Sequence, residues 1–325
     1  MVYRNLGLVI GFCALASACS RESDAPAPTA APATPAAAPA PALPDSIRAA
    51  RGGFIPEGIE YDTDNARFLT GSLAEGSIFE IGADGSVTAV IEDPDLKSSV
   101  GIEVDEDRDR LLVTNSDSAV FQGQSKGHAK LGVYNLNTGE RLAMVDLGAL
   151  LNAGPDASFF ANDVTVADDG TIFVTDTMQN VIYRVGTDYQ GSVFHRFSPT
   201  AEGFAVNGLV YGPGAYLLVA ETGGGSIYKV PVADPASTTK VELAEPVVGA
   251  DGLTWMTGGR LAAVLNSSSR VVALASSDDW ASAQVAGVAT FEGQATTGAT
   301  VGDAFYVVEP HFADADPPTI LRAQF

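Results

Sequence analysis

A short phrase, a polar residue followed by Gly and then a β-type run, recurs along the whole chain. Its clearest copies are Pro56-Glu57-Gly58-Ile59-Glu60-Tyr61, Val206-Asn207-Gly208-Leu209-Val210-Tyr211 and Ala250-Asp251-Gly252-Leu253-Thr254-Trp255. In Ala161-Asn162-Asp163-Val164-Thr165-Val166 an aspartate takes the Gly place, and two weaker copies start at Val100-Gly101-Ile102 and Thr297-Gly298-Ala299. Aligned on the residue before the Gly, the six are Glu57, Val100, Asn162, Asn207, Asp251 and Thr297, at steps of 43, 62, 45, 44 and 46 residues. A period near 45 residues, with each unit read as four short strands, is the signature of a propeller blade. The phrase therefore predicts an all-β fold, a six-bladed β-propeller.

The chain ends at Phe325, directly after the third strand of the sixth unit, Thr319 to Ala323. Ile47 to Gly52 is expected to supply the missing outer strand, closing the ring and removing exposed sheet edges. The propeller is placed at residues 44–325. Ahead of it, Ala25 to Ala42 is almost only Ala, Pro and Thr, which cannot bury a core and reads as a semi-extended tether.

Residues 1–18 read as a signal peptide: Arg4, an apolar run from Leu6 to Leu15, then Ala16-Ser17-Ala18 before Cys19. The apolar run is too short to span a bilayer. Cys13 leaves with the signal, so Cys19 would be the only cysteine of the mature chain and could form no intramolecular disulfide. The stretch resembles a bacterial lipoprotein box with its Leu one place early, at Leu15. Residues 19–43 are accordingly expected to be a lipidated N-terminus and tether on an exported protein facing the periplasm or cell exterior; the alternative is a soluble periplasmic or secreted product. With 18 Lys and Arg against 40 Asp and Glu, the net charge of −22 excludes nucleic acid as a partner. Membrane contact is expected only through Cys19, and the chain is expected to be a monomer.

The 62-residue step marks extra material in the second unit, at Ser116 to Leu131 and at Leu147 to Ser158, where Leu147 to Leu151 predicts one helical turn. Both segments, with the loop Glu309 to Pro318, are expected to crowd the channel mouth around the six aligned residues. Two carboxylates and two carboxamides converging there would be costly to bury unpaired, and a divalent cation removes that cost. Oxygen-only donors select a hard ion, Ca²⁺ first, with Mg²⁺, Mn²⁺ or Zn²⁺ as the other ions considered.

These residues resemble the gluconolactonases and lactonase-like proteins related to regucalcin, with paraoxonases more distant. The resemblance covers about Phe54 to Phe325. It is carried by Pro56-Glu57-Gly58, Phe160-Ala161-Asn162-Asp163, Val206-Asn207-Gly208 and Ala250-Asp251-Gly252. It implies a metal held by Glu57, Asn207 and Asp251, with Asn162 contacting substrate or ion and Asp251 acting as general base. One departure is Phe160, which stands where sugar-lactone enzymes can carry Arg. It points away from a polyol and, with Phe159, towards a more apolar lactone or ester.

The function implied is metal-dependent hydrolysis of a lactone or ester. A non-enzymatic binding or scaffold propeller with a structural ion is the alternative. Asp163, His128 and His311 are further candidates for the base, the two histidines because they fall in the long loops; His195, on a predicted outer strand, reads as structural. Gly123-Gln124-Ser125-Lys126-Gly127 matches a nucleophile elbow in spelling only, since no helix follows Ser125 in an all-β repeat.

Overall fold

The computed structural model describes residues 43–198, 205–313 and 316–325, which belong to one compact unit, Leu43–Phe325. The predicted signal peptide, Cys19 and the tether lie outside the described residues. Six sheets follow one another along the chain, each built on four antiparallel strands, and two of them carry a fifth, two-residue strand paired in parallel at one edge. Blade three shows the pattern: Phe159–Val166 innermost, then Ile172–Asp176, Val181–Val185 and Gly191–Arg196 outermost.

Apolar residues run almost without break along the second strands because both faces of each blade are covered. In Ile172–Asp176, Ile172 and Val174 join a buried cluster with Leu112, Leu131 and Val133 of blade two. The intervening Phe173 joins Leu217, Val219 and Val230 of blade four. In blade four, Leu218 and Ala220 turn to blade five, where they meet Leu261, Ala263 and Leu265. The core is thus a ring of clusters between neighbouring blades, and each fully buried Leu, Ile or Phe contributes about 1.5–3 kcal/mol.

The N-terminal strand closes the ring. Ser46–Arg48 pairs antiparallel with Thr319–Arg322, placing Ile47 opposite Ile320. The strand is shorter than the expected Ile47 to Gly52, because the chain turns away towards blade one: Ala50 N donates to Gly85 O at 2.7 Å, and Gly53 has φ +84°. Ile47 joins Ile59, Phe68 and Tyr306 in the cluster between blades six and one.

The blade-two insertion forms a 3-10 turn, Ser118–Gln122, and a two-residue strand, Gly127–His128. That strand pairs in parallel with the start of blade three, Gly127 opposite Phe159 and His128 opposite Phe160. The second insertion holds the expected single turn, Gly148–Leu150. It differs from expectation in position: Leu147 and Leu151 are buried in the cluster between blades two and three, and Leu147, Leu150 and Val145 surround Gly191 of the outer strand. Its leucines draw the turn onto the side of blade three.

Candidate functional site

The six innermost strands are Ile59–Asp62, Ser98–Asp105, Phe159–Val166, Val206–Gly212, Ala250–Met256 and Gly298–Val301. Four of them lose register with the second strand at the same place: between Ser99 and Ile102, Ala161 and Val164, Val206 and Leu209, and Ala250 and Leu253. The aligned residues Val100, Asn162, Asn207 and Asp251 each fall inside that break. A bulge takes its residue out of the ladder and re-aims the side chain. This is how the repeated phrase brings equivalent side chains to the channel.

The Gly of the phrase has a steric reason. A Cβ on Gly208 would lie 2.4 Å from the backbone O of Asp251, one on Gly58 2.5 Å from Val100 O, and one on Gly101 2.6 Å from Asn162 O. Neighbouring inner strands therefore meet backbone to backbone, an approach only glycine permits. Threonine hydroxyls fix the contact from the adjacent blade. Thr114 Oγ1 donates to Asn162 O at 2.8 Å, Thr175 Oγ1 to Asn207 O at 2.8 Å and Thr296 Oγ1 to Glu57 O at 2.6 Å.

A cavity of about 340 Å³ follows the innermost strands. Its walls run from Glu57, Asn162, Asp163, Asn207 and Thr297 at one end to Asp168, Tyr211 and Trp255 at the other. Asp251 is not part of the lining but is bonded to it, since Asn207 Nδ2 donates to Asp251 Oδ1 at 2.7 Å. Asn162 Nδ2 donates to Thr177 Oγ1 at 2.8 Å, and Thr177 in turn donates to Val206 O at 2.7 Å. Each carboxamide thus uses its nitrogen on the protein, and its oxygen remains as an acceptor. Val100, the apolar member of the ring, is buried against Val120 and Phe160.

Five carboxylates line the cavity, namely Glu57, Glu60, Glu103, Asp163 and Asp168, and no Lys, Arg or His does. Burial, then repulsion from Asp251 and Asp163, holds Glu57 well above the usual carboxylate range. Asp251 is pushed up to about 7, mainly by burial; the Asn207 hydrogen bond opposes the shift and Asp163 adds to it. Asp163 reaches about 7 through burial even though it accepts hydrogen bonds from Val164 N at 2.9 Å and Leu209 N at 3.1 Å. Lacking the Gly of the other copies, blade three uses this carboxylate to bridge to blade four.

Glu60 and Glu103 belong to the repeated phrase but not to its aligned position. Each lies three residues after its aligned position, and the same offset gives Thr165, Thr254 and Thr300, all on the cavity wall. The signal for them is a second polar register in the same repeats. Burial, followed by Asp163, raises Glu60 to about 8; burial, then Glu60 and Asp163, raises Glu103 well above its ordinary range.

The histidines stand elsewhere. His128 is half-buried in its two-residue strand with Nε2 3.2 Å from Asn115 Oδ1, and burial lowers its pKa. His311 lines a separate pocket of about 120 Å³ with Glu309, Gln294 and Phe312. Ser125 Oγ accepts from Gly127 N at 2.7 Å, stabilising the turn before that strand. Phe160 is buried beneath the exposed Phe121, ring centroids 4.6 Å apart, and neither Phe159 nor Phe160 reaches the cavity wall. Among the described residues, no three His, Cys, Asp or Glu side chains are grouped to hold a metal ion, so carboxamide oxygens would have to complete any cage here.

No protein-family model and no curated protein matches the chain. Solved structures do. The allergen Mala s 1 of Malassezia sympodialis superposes with a TM-score of 0.71 at 18% identity, over 87% of this chain and 97% of that one. A gluconolactonase from Xanthomonas campestris gives 0.58 at 15% identity, over 86% and 90%. Virginiamycin B lyase from Staphylococcus aureus gives 0.58 at 14% identity, over 86% and 98%. By fold, the chain is a six-bladed β-propeller, and its likeness to all three is one of fold.

Proposed function

We propose that this propeller hydrolyses a lactone or related ester with the help of one divalent cation, Ca²⁺ being the first choice. The observation that carries the reading is the shared break in the innermost strands, which brings Asn162 and Asn207 beside Glu57 on one cavity wall, with Asp251 bonded to Asn207. Glu57 and Asp251 would balance the charge of the ion, and the free oxygen of Asn207 would join them in an all-oxygen set. The carboxylates of the cavity, raised by burial and by one another and facing no cationic side chain, fit such an ion. When bound, it would polarise the ester carbonyl and stabilise the negative oxygen that forms there.

The chain's own groups do the rest. A carboxylate near pKa 7 is matched to proton transfer at neutral pH. Asp251 and Asp163 both meet that condition before the ion binds, and the ion would then favour the ionised, proton-accepting form of its ligand Asp251. Either would take a proton from the attacking water as its oxygen bonds to the carbonyl carbon. That proton passes to the alkoxide oxygen when the acyl–oxygen bond breaks, leaving a hydroxy acid or an acid and an alcohol. Asn162, held through Thr177, would orient the substrate.

A propeller that only binds, with the ion kept for structure, is the second reading. The likeness to an allergen supports it, because a shared fold does not fix a function. Turnover of a panel of lactones and esters, with and without chelator, separates the two. Lipidation of Cys19 and export are proposed from the sequence alone; mass spectrometry of the mature N-terminus tests them, an unmodified Cys19 being the contrary result.

A further inference from the structure

A second cavity, about 350 Å³, lies between blades four and five at the far end of the channel from Asn162 and Asn207. Its lining is Asp168, Tyr211, Pro213, Tyr216, Trp255, Gly259 and Trp280. Asp168, Tyr211 and Trp255 also close the far end of the main cavity, so the two spaces share a wall. The chain has only two tryptophans, and both are here, edge to face with ring centroids 5.5 Å apart. Trp255 is pinned by donation from Nε1 to Tyr211 O at 2.7 Å.

We propose that this cleft binds a small organic cation, such as a quaternary or alkyl ammonium group carried on an apolar body. Four aromatic rings and one carboxylate, with no Lys or Arg in the lining, make the chemistry that attracts such a group: ring faces draw a cation and Asp168 supplies the counter-charge. Lys229 Nζ already sits 4.5 Å from the centroid of the Tyr216 ring and pairs with Asp279 Oδ2 at 2.6 Å, so the rings offered to a bound cation are those of Tyr211, Trp255 and Trp280. The volume and the mainly aromatic wall with one polar anchor are those of a small-molecule site. A net charge of −22 raises the local concentration of cations of any kind. The proposal stands independently of lactone hydrolysis, because none of the residues assigned to metal or substrate there, Glu57, Asn162, Asn207 and Asp251, lines the cleft.

Tryptophan fluorescence reports on this cleft, as no other tryptophan exists in the chain. The full protein is titrated with benzyltrimethylammonium and with its neutral isostere neopentylbenzene. The expected result is a saturable change with the cation only, weakened about tenfold in Asp168→Asn, as for loss of one charge-assisted contact, and unchanged in Glu103→Gln. Equal response to the neutral isostere, or no saturable response to the cation, overturns the proposal. So does loss of binding in Glu103→Gln but not in Asp168→Asn, which would put the cation among the channel carboxylates. Circular dichroism of both variants confirms that the comparison is made on folded protein.

Discussion

Asn207 Nδ2 donates to Asp251 Oδ1 across 2.7 Å, tying the bulge of blade four to that of blade five. The bond favours the ionised carboxylate and partly offsets the burial that raises Asp251 to about 7. In Asn207→Leu that donor is gone, so the metal-free Asp251 should titrate at higher pH than in the parent. Carboxyl chemical shifts followed through a pH titration check this; a downward movement would contradict it.

The channel carboxylates give the metal-free protein an unusual pH dependence. Asp163 and Asp251 are raised to about 7 and Glu60 to about 8, so the folded state holds protons that the unfolded chain releases near its ordinary carboxylate pKa of about 4. Their contribution to stability is fully present below about pH 4 and is lost as pH rises through about 7 to 8. Thermal midpoints measured in chelator should fall across that window. Saturating Ca²⁺ should restore the midpoint most at the alkaline end.

Gly208 is where the two inner strands touch: a Cβ added there would lie 2.4 Å from Asp251 O and 2.6 Å from Leu253 N. Gly208→Ala forces backbone apart rather than a side chain aside. A loss of about 1–3 kcal/mol is expected, as for overpacking, together with weakened metal binding. Gly154 is exposed with nothing within 4 Å of an added Cβ, and Gly154→Ala should stay within about 0.5 kcal/mol of the parent. Urea melts of the two variants make the comparison.

Ring closure rests on few side chains. Ile47 is 2% exposed opposite Ile320, and Ile47→Ala should cost about 2–5 kcal/mol through the cavity it leaves between blades six and one. The neighbouring Arg48 meets Asp316 at the surface, 3.7 Å away, and Arg48→Ala should change little. Equal midpoints for both variants would show that the N-terminal strand does not hold the ring.

The repeated Gly after the aligned residue made the fold legible, because a bulge that re-aims a side chain and a Gly that admits the next strand leave the same mark in several blades. Asp163 was legible as the exception to that Gly. The parallel pairing of Gly127–His128 with Phe159 and Phe160 was not, since two residues carry no period and their partner lies some thirty residues away. For the same reason His128 looked like a free loop residue, whereas its ring is held by Asn115 inside the blade interface. Glu60 and Glu103 could have been found by repeating the alignment three residues further on. What obscured them is that a channel-facing glutamate and a solvated edge glutamate read alike in a strand.

The division of labour around the cavity is the central claim, and metal content measured alongside lactone turnover in four purified proteins tests it most directly. Expected are one tightly held divalent ion and turnover in the parent and in Ser125→Ala. Asp251→Ala, which loses one of the two charges balancing the ion, should lose both. Asn162→Ala should keep the ion and lose turnover, because that carboxamide, anchored on Thr177, serves substrate more than metal. Turnover that survives in Asp251→Ala but disappears in Ser125→Ala would contradict the account and make the serine the nucleophile.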